Sequence, residues 1–165
     1  MANRRSLYTF ALLLAATWLG WSVLVDFFII PTVFRTVGNF FEAGDLGIAV
    51  FSKLNGLELV ASSALVLTLL LLLRSQRKSW PLATAAILGW VIVLVYFSYL
   101  TPKLTHLTDL WKAAEAAGRV GVSGISDVQQ EHQVYHKLYI SLDTLKMVLL
   151  LFILAAGLYR EKDWA

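Results

Sequence analysis

Residues 126–159, SDVQQEHQVYHKLYISLDTLKMVLLLFILAAGLY, carry two patterns at once. Gln129, His132, His136, Tyr139, Asp143 and Lys146 follow one another by steps of three and four, the spacing that lines side chains along one face of an α-helix. From Leu138 onward the positions off that face are mostly Leu, Ile, Val, Met, Phe and Ala. A polar stripe on so apolar a helix turns away from lipid, toward protein, water or an ion. The stretch therefore predicts a membrane helix in a bundle. Ser126 and Gln129 fit a capping box. A helix from there to Tyr159 is roughly 50 Å long at 1.5 Å per residue, so its first ten or so residues stand outside the bilayer.

The rest of the chain agrees with that stretch. Of its 165 residues, 58% are hydrophobic and 15% charged; soluble domains are about half apolar and roughly a quarter charged. The class is an all-α membrane protein, a four-helix transmembrane bundle with one domain over residues 1–165. Cysteine is absent, which excludes disulfides, thiolate metal ligands, thiol-attached haem and cysteine catalysis together. The formal charge of +3 comes from basic residues gathered largely at helix ends. Topology explains them, and nucleic acid is not an expected partner; the lipid bilayer is.

Four apolar runs of crossing length, at residues 7–30, 48–74, 80–100 and 137–159, predict the spans. The first is too long for the apolar core of a cleaved signal peptide, so it reads as an uncleaved span that stops at Pro31. Apolar helical character resumes near Ile48, after Gly38, Gly44 and Gly47. A basic turn, Ser75 to Ser79, leads to Trp80-Pro81, where proline suits the first turn of span three. Thr101-Pro102 opens an amphipathic segment, residues 102–118, with Leu104, Leu107, Leu110, Trp111 and Ala114 on one face. It either lies at the interface or extends span three. Gly118 to Gly124 is a flexible connector. Trp18, Trp21 and Trp90 are expected to pack within the bundle with their donors satisfied locally. Gly20 and Gly89 beside them are read as close helix contacts, and Trp80, Trp111 and Trp164 as interfacial anchors.

Arg4, Arg5, Arg74, Arg77, Lys78, Arg160 and Lys162 crowd against span ends on the side of the termini. The opposite connections hold Arg35, Lys53, Lys103, Lys112, Arg119 and Lys137, several far from any span. Positive-inside counting then predicts both termini in the cytoplasm. Four ionisable residues remain within the spans: Asp26, Glu58, Asp143 and Lys146. Each falls in the outer half of its span, at similar depth. An ionised residue at mid-helix costs about 2.5 to 3.5 kcal/mol, so four left unpaired would cost on the order of 10 kcal/mol, comparable to the stability of a whole domain.

Two readings of that constellation stand side by side. In one, Asp26, Glu58, Tyr139, Asp143 and Lys146 form a polar cavity opening outward that handles a proton, a metal ion or a small polar ligand. His132 and His136, spaced i and i+4, are then candidate metal ligands, with a metal or haem as the candidate cofactor. In the other, Lys146 simply neutralises Asp143 or Asp26, while Glu58 is protonated or hydrated. A further alternative is an accessory or assembly subunit of a larger membrane complex, or a homo-oligomer. Catalytic signatures such as His-Glu-x-x-His, Gly-x-Ser-x-Gly or a phosphate loop are missing, and an enzyme is the least favoured class.

Ile30-Pro31-Thr32-Val33-Phe34-Arg35, Ala43-Gly44-Asp45-Leu46-Gly47 and Phe51, with Trp18-x-Gly20 upstream and His136 at the head of span four, form a recognisable set. In these residues the chain resembles the transmembrane-protein-205-like family of small four-span membrane proteins. The resemblance implies a four-helix membrane bundle and a distant likeness to copper-resistance-type and haem-handling four-span proteins. Asp143 and Lys146 depart from the more neutral, Asn-containing fourth span of that family.

Overall fold

A computed structural model describes residues 2–74, 79–118 and 123–161, with the backbone alone for 2–3, 123–125 and 160–161. Expectations for Arg77, Lys78, Arg119, Lys162 and Trp164 lie outside the described residues. Four helical rods, Arg4–Thr36, Phe40–Leu73, Trp80–Ala116 and Ser126–Tyr159, are long and apolar enough to cross a membrane. The protein is an all-α, multi-pass integral membrane bundle.

The first rod comprises α1 (Ala2–Leu24), a π-helical turn (Val25–Ile29) and α2 (Ile30–Thr36). Pro31 does not end the span as expected. Proline lacks an N–H and its ring crowds the carbonyl four residues back. Here the turn before it widens instead: the Ile30 N–H reaches the Val25 carbonyl five residues back, and the helix runs on. The third rod repeats the device. After α4 (Trp80–Val95), the π turn Tyr96–Leu100 sends the Thr101 N–H to the Tyr96 carbonyl just ahead of Pro102, and α5 (Thr101–Ala116) continues the rod. The amphipathic segment is thus an extension of span three and not a separate helix in the loop.

The second rod, α3 (Phe40–Leu73), begins well before Ile48 because Asn39 caps it, its Oδ1 accepting from the Phe41 N–H at 2.9 Å. The glycines at 44 and 47 lie inside this helix. Gly47 faces Phe34 and Ile30 of α2, where a Cβ would make an ordinary contact 3.7 Å from the Phe34 ring. The fourth rod, α6 (Ser123–Glu161), starts three residues ahead of Ser126, which leaves Ser126 and Gln129 inside the helix rather than capping it. At 39 residues α6 is about 58 Å long, nearly twice the hydrocarbon thickness. The turns ahead of Leu138 project together with α5, Lys103 pairing with Glu131 at 2.8 Å and Trp111 lying against His132.

The Tyr8 hydroxyl donates to the Gly157 carbonyl at 2.8 Å, which fixes the first and last spans at one end of the bundle, here the terminal end. Ala11, Ala15, Trp18, Leu65, Leu69, Leu82, Ala86, Leu150 and Ile153 fill that end with a dry core. Phe10, Leu13, Val60, Leu67, Leu88 and Leu151 point outward, as a lipid-facing surface should. Trp18 explains Gly89: a Cβ there would lie 3.3 Å from the indole. Gly20 has open space around it, and the close contact expected there is not made. Trp90 donates to Ser63 at 3.0 Å, but the buried Trp18 and Trp21 donors have no partner among the described residues, because only apolar side chains reach them. Trp80 is exposed. Trp111 packs against Phe40, Phe41 and His132 between the projecting helices.

Candidate functional site

Above the dry core, all four rods contribute to one polar layer. Glu58 of α3 and Lys146 of α6 are among the most deeply buried side chains of the protein, at 0% and 1% exposure. Lys146 Nζ donates to Glu58 Oε1 at 2.6 Å and to Asp143 Oδ1 at 2.5 Å, while the Ser22 hydroxyl donates to the same Glu58 oxygen at 2.8 Å. The Asp26 carboxyl stands in hydrogen-bonding contact with that of Asp143 and within electrostatic reach of Lys146 and Glu58. It gets there from the π turn before Pro31. Tyr96, in the other π turn, presents its ring to Lys146 Nζ at 5.6 Å. Glu58 Oε2 and Asp26 Oδ2 are buried without a hydrogen-bond partner among the described residues.

A second layer closes the cluster toward the far end. Tyr139 stacks on Tyr96 with ring centroids 4.3 Å apart and takes the edge of Phe51 at 5.3 Å. The Tyr96 hydroxyl donates to the Tyr139 carbonyl at 3.2 Å, and the Tyr139 hydroxyl to Asn55 Oδ1 at 3.1 Å. Asn55 in turn donates through Nδ2 to the Thr101 hydroxyl at 2.8 Å. Beyond Asn55 a cleft of about 660 Å³ opens between α3 and the third rod, lined by Asp45, Ser52, Thr101, Thr105 and Asp109 among others.

Asp26, Glu58, Asp143 and Lys146 therefore come together as their depths imply, with Tyr139 one layer above. His132 and His136 do not join them. Their rings lie parallel, 6.1 Å apart, on the projecting turns of α6, with Trp111 against His132. Seven residues, or about 10 Å of helix, separate His136 from Asp143. Burial pushes both imidazoles below the usual histidine range, His132 being also opposed by His136. Among the described residues no group of three or more His, Asp or Glu is placed to hold a metal. Ser22 and Tyr96 escaped the sequence reading. Ser22 stands one turn before Asp26, a spacing that in hindsight marks the same helix face; Tyr96 sits in an apolar run with no signal beyond its hydroxyl.

Lys146 is the one ammonium among three carboxyls, so full ionisation would leave the cluster at −2. Two carboxylates in contact repel strongly away from water, and a proton between them relieves the repulsion. The arrangement is that of a membrane bundle built around a buried acid–base cluster.

Residues 13–112, 100 of the 165, match the family model described as a domain of unknown function, DUF4149, and the chain belongs to that family. The match takes in Ser22, Asp26, Asn55, Glu58 and Tyr96 and ends before α6, which brings Asp143 and Lys146. No curated protein and no solved structure matches the chain.

Proposed function

We propose that this membrane protein holds and exchanges a proton at the buried cluster. One observation carries the reading: Lys146 bridges Glu58 and Asp143 at 2.6 and 2.5 Å while Asp26 lies against Asp143. An excess of carboxyls over ammonium in a place closed to water calls for a proton or a cation. Lys146 already occupies the point where the Glu58 and Asp143 oxygens converge, which disfavours a second cation there. The Asp26–Asp143 contact suits a shared proton, as in other paired carboxyls.

Infrared difference spectroscopy across pH, on the protein in lipid bilayers, tests this. A protonated-carboxyl band near neutral pH that is lost in Asp26→Asn and in Asp143→Asn is expected. Its absence from the intact protein sinks the reading and leaves a plain ion-pair network. A second membrane protein, or a second copy, recovered in fixed stoichiometry would instead favour the accessory-subunit reading.

The basic residues crowded at the terminal end support placing both termini in the cytoplasm. Single cysteines at Ala2 and Ala117, probed in intact cells with an impermeant thiol reagent, test it: only the second should react. Kinship with the transmembrane-protein-205-like family is a further proposal. It is supported by the way two halves of the shared motif touch, Gly47 against Phe34 and Ile30. A member structure lacking that contact would count against it.

A further inference from the structure

The two faces of the cluster are closed in different ways. Toward the terminal end lies the apolar core, with Trp18, Leu65, Leu69, Leu150 and Ile153 in successive turns, and the buried hydroxyls of Ser62 and Thr68 there are turned back onto the Leu59 and Ala64 carbonyls of their own helix. Toward the far end the closure joins the aromatic stack of Tyr96, Tyr139 and Phe51 to one polar thread, Tyr139, Asn55 and Thr101 in one hydrogen-bonded chain. Asn55 belongs to both sides of that closure. It is 1% exposed, it lines the cleft, and on α3 it stands one turn from Glu58. The cleft beyond offers groups that can hold water. Asp45, Asp109 and His106 line it, Ser52, Thr101 and Thr105 supply hydroxyls, Phe97 is among its apolar walls, and Lys112 from α5 pairs with Asp45. An apolar core opens only by separating packed side chains. The polar thread opens by rotating Asn55 alone, which breaks two neutral hydrogen bonds and leaves the aromatic stack in place.

We propose that the cleft is the entrance through which water, and with it a proton or small cation, reaches the cluster, and that the Tyr139–Asn55–Thr101 chain is its barrier. Exchange is then one-sided, from the far end alone. The identity of the cargo rests on the proton reading above; the entrance does not.

The chain has no cysteine, so single-cysteine variants of the full-length protein in nanodiscs react against a blank background. Ser52→Cys, in the cleft, should react quickly with a cationic thiosulfonate, and faster than a lipid-facing Val60→Cys control. Ser22→Cys, inside the cluster, should react slowly with Ag⁺. Adding Asn55→Ala, or Tyr139→Phe, which keeps the ring stack and removes only the hydroxyl, should speed that reaction about fivefold, the equivalent of one lost hydrogen bond. Leu69→Ala, which loosens the terminal-end core, should leave the rate unchanged.

A Ser22→Cys rate that neither Asn55→Ala nor Tyr139→Phe moves overturns the entrance, as does opening by Leu69→Ala alone or an inert Ser52→Cys. The infrared experiment is separate. A missing carboxyl band removes the proton and leaves the entrance standing, whereas an unmoved Ser22→Cys rate removes the entrance and leaves the proton.

Discussion

Lys146 of α6 donates to Glu58 of α3 across 2.6 Å, joining two spans 88 residues apart through side chains that reach neither lipid nor solvent. Such a pair is weak evidence of net stabilisation, because desolvating both charges offsets much of their attraction. Breaking it from one side is another matter. Lys146→Met leaves Glu58 and Asp143 buried without their cation and should cost about 3 to 5 kcal/mol. Denaturant unfolding in mixed micelles measures it. Adding Glu58→Gln to Lys146→Met should recover a substantial part, since one of the stranded charges is then gone; no recovery would mean that the two residues are not coupled.

Ser22 tests the cluster more gently. Its hydroxyl is one of two donors to Glu58 Oε1, the other being Lys146. Ser22→Ala removes a hydrogen bond to a charged group and should destabilise by about 1.5 kcal/mol while leaving the helix content intact. An effect below measurement error would show that Lys146 alone satisfies that oxygen.

Two glycines that look alike in sequence should respond in opposite directions. At Gly89 a Cβ already comes within 3.3 Å of the Trp18 ring, which is itself 1% exposed and locked in the core. Gly89→Val should therefore cost about 1 to 3 kcal/mol by overpacking. Gly20 faces open space, and Gly20→Ala should be neutral or stabilising by up to about 1 kcal/mol through helix propensity. Paired melts of the two variants decide it, and equal losses at both sites would contradict the packing described for Trp18.

The projecting histidines give the protein an acid-sensitive part outside the bilayer. Burial lowers both imidazoles in the folded protein from the ordinary histidine value of about 6.5, so the unfolded chain binds their protons first. Their contribution is complete above the unfolded value and is lost as pH falls through it toward the lowered folded value. Melting temperature should fall between about pH 8 and pH 5, and His132→Gln/His136→Gln should flatten that fall. A double variant with an unchanged pH profile would assign the sensitivity to other groups.

Much of the architecture was legible in the chain itself, for a physical reason. Hydropathy and helical period are local properties: a run such as Leu65 to Leu73 can cross only as a helix, and steps of three and four put Tyr139, Asp143 and Lys146 on one face whatever surrounds them. Charge in a bilayer also constrains depth, so Asp26, Glu58, Asp143 and Lys146 pointed at one another before any helix was placed. Local pattern misled where proline was concerned. Pro31 read as a helix end and Thr101-Pro102 left an interfacial segment and an extended span both open, yet each span continues, because a π turn absorbs the missing N–H and the bundle holds the rod together.

The tertiary structure alone decided who pairs with whom. Depth counting could not choose between Asp26, Glu58 and Asp143 as partners of Lys146, since several rotations of each helix satisfy the same burial. The packing of the four rods selects Glu58 and Asp143, recruits Ser22 and Tyr96, and leaves His136 about two turns and His132 about three turns from Asp143 on projecting helix. It also sets Asn55, an ordinary polar residue in the sequence, between a cleft and a buried charge. Helix period specifies a face; only the contact of one face with another specifies a site.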